Sequence, residues 1–116
     1  PWDEAFFLYS EETDFTLRAG DAGLRTCYEP SARAQHLEGG SAGSPRQWAL
    51  LVANRVRLYR KRHGPAKAVF FWAATVAREA SRAILGRQTS RVALRNLVSR
   101  HRMHAPRSER WLVTAD

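Results

Sequence analysis

Cysteine occurs once, as Cys27, and methionine once, as Met103. A lone thiol excludes an intrachain disulfide framework, and a reducing compartment is the simpler expectation. With its single methionine at 103, the chain does not open on a translation start, and further sequence is expected upstream. Long apolar runs are missing too. The longest uncharged one, AVFFWAATVA at 68–77, has ten residues, whereas a helix crossing a bilayer needs about 20. No signal peptide and no internal repeat is visible. Acid is scarce in one part only: residues 46–116 hold Glu79, Glu109 and Asp116 against 16 Lys and Arg, a balance of +13. Residues 1–45 hold eight acids against Arg18, Arg25 and Arg33, a balance of −5.

This division predicts two regions with different partners. A segment at +13 seeks phosphate, on nucleic acid or on an anionic membrane. The acidic region would be repelled by either and suits a metal or a hydroxyl substrate. A chain of 116 residues, 44% apolar, is long enough for one core and too apolar to be disordered throughout.

Periodicity and punctuation predict the elements. Ser10 is placed to cap a helix over 11–22, with Glu11 and Glu12 at the positive end of its dipole, Phe15, Ala19 and Ala22 on one face, and Gly23 as its stop. LRTCYEP at 24–30 reads as a short strand and ARAQHL at 32–37 as a second extended piece, followed by a glycine-rich loop. A helix is expected over 46–62, with Trp48, Leu51, Val52, Val56 and Tyr59 on one face and Arg57, Arg60 and Lys61 opposite. Two more are expected over 66–85 and 89–102, before a frayed tail.

The chemistry is most concentrated at 6–15, FFLYSEETDF, where four aromatics surround three carboxylates. Adjacent acids at a helix start often serve only its dipole. Here Phe6, Phe7, Leu8 and Tyr9 precede them directly, which would bring the helix start to a pocket wall, where a carboxylate becomes a better general base.

Taken together, Asp3-Glu4-Ala5-Phe6-Phe7-Leu8-Tyr9, Glu11-Glu12-Thr13-Asp14-Phe15, Leu17-Arg18, Ala22-Gly23, Tyr28-Glu29-Pro30 and His36 followed by Gly39-Gly40-Ser41 resemble the acceptor-side half of glycosyltransferase family 2, over roughly residues 2–64. The resemblance implies an α/β fold class: the C-terminal part of a GT-A domain, one short helix and two short strands over 1–45, followed by a mainly helical basic extension over 46–116. It implies an inverting transferase of cell-wall or polysaccharide biosynthesis that moves sugar from a nucleotide-sugar donor to a saccharide or lipid-linked acceptor. By that resemblance Glu12 corresponds to the general base and Glu11 to a residue touching the acceptor or orienting the base. Asp14 would fix the helix start, and Phe7 and Tyr9 would shape the acceptor site. His36 would join the D-x-D carboxylates on a divalent metal, Mg or Mn. Trp2 stands where the family usually has Phe, and Glu12 is one methylene longer than the Asp of many members. No D-x-D occurs in the 116 residues, so the donor-binding N-terminal half is expected elsewhere, and the isolated chain is expected to be inactive.

For the basic region, helices packed on the rest of the enzyme compete with attachment to an anionic membrane, for which Trp48, Tyr59, Phe70, Phe71 and Trp72 supply interfacial aromatics. Nucleic acid ranks last, because no helix-turn-helix, zinc or aromatic RNA motif accompanies the charge. Arg55 falls within the apolar arc of its helix, which predicts a bridge to a carboxylate, a donor phosphate or the membrane. The expected location is cytoplasmic, peripheral to the inner membrane face. The alternative class is a non-catalytic basic helical module that binds membrane or nucleic acid.

Overall fold

A computed structural model describes residues 1–35 and 44–99. Four helices follow one another: α1 (Glu11–Asp21), α2 (Pro45–Arg62), α3 (Pro65–Ile84) and α4 (Gln88–Val98). No strand occurs among the described residues. The expected α/β GT-A fragment is therefore corrected to an all-helical architecture. The reason lies in pairing: a strand is held by ladder bonds to a neighbour, and no described segment offers 24–35 an edge. Every residue from 20 to 35 is exposed. Only local bonds shape this stretch, such as Ser31 N–H to Glu29 Oε1 at 3.0 Å and Ala32 N–H to the Glu29 carbonyl at 3.2 Å.

Helices α2, α3 and α4 pack together. Ala49, Val52 and Val56 of α2 meet Ala93 and Leu97 of α4, and Trp48, Leu51, Phe71, Val76 and Val92 close around them. Proline at the first position of both α2 and α3 pre-sets φ where its missing N–H costs no bond. The tight turn between α3 and α4 needs Gly86 at φ 86°, a left-handed position that glycine adopts without strain. Gly86 N–H then reaches the Ala83 carbonyl and Arg87 N–H the Arg82 carbonyl.

Two polar links stiffen this unit. Trp48 donates its indole N–H to Glu79 Oε2 at 2.9 Å, joining α2 to α3. Trp72 donates to the Leu97 carbonyl at 3.1 Å, joining α3 to α4. Tyr59 and Phe71 stack with centroids 4.2 Å apart. Of the five aromatics expected at a membrane surface, Trp48, Tyr59 and Phe71 are thus engaged between helices.

Helix α1 is held differently. Of its residues only Asp14 is buried, and Phe15, expected on the packed face, is exposed and lies against Trp2 at 5.1 Å. Ion pairs tie it to the C-terminal turn of α2: Lys61 to Asp14, and Arg62 to Asp21. The preceding segment adds Lys61 to Asp3 at 2.7 Å, the Arg57 guanidinium on the Ala5 carbonyl, and buried Phe6 with the Lys61 ammonium 5.6 Å from its ring centroid.

Candidate functional site

The segment entering α1 turns sharply at Tyr9 and Ser10, both left-handed at φ 66° and 73°. Neither has the freedom of glycine, so each is strained by about 1–2 kcal/mol. Ser10 makes no side-chain cap bond, which corrects the capping expected of it. A Ser caps from an extended backbone, and the left-handed one directs its hydroxyl elsewhere. Its carbonyl accepts from Asp14 N–H at 2.8 Å.

Asn54 holds the turn in place. Fully buried on α2, its Nδ2 donates to the carbonyls of Leu8 at 2.7 Å and Tyr9 at 3.0 Å. A residue in the middle of α2 thus sets the angle at which α1 begins.

The three acids of α1 separate by environment. Asp14 is 1% exposed, with Arg18 Nε at 2.9 Å from Oδ2 and Lys61 Nζ at 2.7 Å from Oδ1. It is fully committed to these two cations. Glu11 is half-buried, and its Oε2 lies out of water with no hydrogen-bond partner. Glu12 is exposed. It stands at the open surface and not on the pocket wall expected for it, because the aromatics before it divide: Phe6 turns inward, Phe7 is exposed, and Leu8 and Tyr9 are half-buried.

A cleft of about 850 Å³ lies on the other side of this segment. Phe6, Val69, Trp72, Leu97 and Val98 give it apolar walls, and Arg57, Arg60, Lys61 and His63 line its α2 side. Glu11 and Glu12 are not among its lining residues. Burial pushes the Arg57 guanidinium below its ordinary pKa, partly offset by Asp3 nearby. Burial also disfavours charge on Lys61, but hydrogen bonds to Asp14 and Asp3 hold its ammonium above the usual value.

Arg55 is exposed and so lies outside the buried arc in which the sequence placed it. The buried arc of α2 centres on Ala49, Leu50, Val52, Ala53 and Val56 and takes in Asn54 in place of Arg55. His36, the expected metal ligand, lies outside the described residues. Among those described, no group of three or more His, Cys, Asp or Glu side chains gathers to hold a metal. Asp14, the one buried acid of α1, is already paired with two cations.

The sequence pointed to the acids but not to what holds them. Asn54 was visible as the amide that closes the apolar stretch LLVAN, and Glu79 as the sole acid of residues 44–99. Both are fully buried, Asn54 bonded to the segment before α1 and Glu79 to α2. Comparison of the chain with protein-family models, curated proteins and solved structures yields no match. Among the described residues no helix is long and apolar enough to cross a membrane.

Proposed function

We propose that this chain carries the acceptor side of an inverting glycosyl transfer, with Glu12 as the base that takes the proton of an acceptor hydroxyl. The observation behind this reading is the presentation of Glu12: an exposed carboxylate in the first turn of α1, fixed by a strained turn that Asn54 clamps from the helical core. Strained backbone of this kind concentrates where a group must be held in one orientation. The sequence resemblance of residues 2–64 supports the same role.

In the reaction the acceptor oxygen attacks the anomeric carbon while the bond to the leaving diphosphate breaks on the opposite face, and Glu12 receives the hydroxyl proton. Glu11, next to it and half-buried, would orient the base or touch the acceptor, as the resemblance implies. Phe7, exposed, and Tyr9, half-buried, would shape the acceptor site, as the resemblance implies. The nucleotide-sugar donor would be held by residues beyond these 116, since the chain has no D-x-D. The acceptor class is a saccharide, free or lipid-linked.

The test is Glu12→Gln in a protein that joins this chain to a donor-binding half. Turnover falls by about 10²- to 10⁴-fold while donor affinity is unchanged, the range for loss of a general base. Activity within a few-fold of the parent removes Glu12 from the role.

A further inference from the structure

Helix α3 turns one whole face to solvent, and that face is apolar. Phe70, Ala77 and Ile84 recur every seven residues along it, with Ala66, Ala73 and Val69 beside them. Phe70 is 78% exposed and Ile84 85%. A surface helix of a water-soluble bundle normally puts polar residues here. The charged residues of α3 lie along the edge or inward: Lys67 and Arg78 sit three turns apart on one border, and Glu79 is buried against Trp48.

Among the described residues, the helical unit 44–99 exposes charge of one sign around this face. Glu79 is the only acid of residues 44–99, so that part of the molecule exposes no carboxylate, while Arg55, Arg60, Lys67, Arg87, Arg91 and Arg95 are all exposed. At the opposite border from Lys67, Val69 continues the apolar surface into the cleft, whose far wall carries Arg57 and Arg60 together with Lys61, the last paired to Asp3 and Asp14. Apolar residues flanked by cations on both borders complement a surface with hydrocarbon below and negative headgroups above. A protein partner of mixed charge gains nothing from the lack of carboxylates.

We propose that the outward face of α3 docks on an anionic lipid surface, with Phe70 and Ile84 entering the acyl boundary and Lys67 meeting headgroup phosphate. The inference is independent of the glycosyl-transfer reading, since it uses none of the residues of α1. It also replaces the aromatics expected from sequence, because Trp48, Tyr59 and Phe71 are spent between helices and only Phe70 points fully outward.

The experiment pellets the full chain with vesicles of phosphatidylcholine alone or mixed equally with phosphatidylglycerol. The chain should sediment with the mixed vesicles and stay largely in solution with the neutral ones. Near 1 M salt, where screening acts over about 3 Å, part of the binding should persist. Phe70→Ser with Ile84→Ser should lower that persistent part about tenfold or more, the loss expected from two apolar side chains. Circular dichroism of the variant should match the parent, since neither residue is buried. Lys67→Glu should weaken binding to the mixed vesicles severalfold, providing a second variant that touches no packing. Failure of the parent to sediment with anionic vesicles overturns the proposal. So does equal binding to neutral vesicles, or salt-resistant binding unchanged in the folded double variant. A concentration-dependent dimer that the double variant abolishes, without vesicle binding, assigns the face to a second copy instead.

Discussion

Trp48 of α2 and Glu79 of α3 are joined by a 2.9 Å hydrogen bond, and the carboxylate that accepts it is fully buried. The same carboxylate accepts from Arg78 through Oε1 at 2.8 Å, while Arg78 and Arg82 lie 5.7 and 5.4 Å from the Trp48 ring centroid. Burial by itself would push the Glu79 carboxyl up, but the bonds from Trp48, Ser90 and Arg78 hold it below its ordinary value. In the unfolded chain those bonds are gone.

Glu79 therefore makes stability depend on pH with a definite sign. Its contribution is complete above the ordinary carboxylate pKa of 4.5 and is lost as pH falls below that toward the folded value. Glu79→Gln should flatten this part of the acid limb in denaturant titrations between pH 3 and 7. Glu79→Ala should cost about 2–3 kcal/mol at neutral pH, less than a wholly enclosed pair because Arg78 is half in water. An acid limb identical in parent and Glu79→Gln would show that the carboxyl is not the titrating group.

The left-handed turn at Tyr9 and Ser10 makes a prediction of opposite direction. Ser10→Gly relieves steric strain at φ 73°, offset by the greater freedom of glycine in the unfolded chain. Stability should rise by up to about 1 kcal/mol. Urea midpoints of the two proteins decide it, and a loss of stability would mean that Ser10 contributes more than its backbone.

Asn54→Leu keeps the size of the side chain and removes the donor to the Leu8 and Tyr9 carbonyls. Leaving these acceptors without it should cost about 2–3 kcal/mol. The local readout is the Asp14 amide, which donates to the Ser10 carbonyl at 2.8 Å. Its hydrogen exchange should accelerate more than that of amides in α4.

The outcome also explains which parts of the molecule could be read from sequence. Helices were expected over 11–22, 46–62 and 66–85 and are found at Glu11–Asp21, Pro45–Arg62 and Pro65–Ile84, since glycine, proline and the 3.6-residue period are local signals. The fourth, expected over 89–102, is found at Gln88–Val98 and stops short because Ser99 is already extended. The strands were expected from β-branched and aromatic content plus a terminal proline, but a strand exists only with a partner, and residues 24–35 find none among those described. Residue type alone also could not say that Asp14 is interior while Glu12 is exposed. That difference depends on Lys61, 47 positions away, reaching one acid and not the other.

Asp14 and Glu12 should therefore respond to amide substitution in opposite ways. Asp14→Asn leaves Lys61 and Arg18 facing a neutral group in a buried position, and should destabilise by about 1–3 kcal/mol, discounted because both cations keep roughly a third of their side chains in water. Glu12→Gln removes a charge at the exposed surface and should change stability by less than about 0.5 kcal/mol. Thermal melts of the 116-residue chain measure both without any donor or acceptor present. If Glu12→Gln proves as destabilising as Asp14→Asn, Glu12 holds α1 in place, and any loss of turnover it causes would report unfolding of the site and not removal of a base.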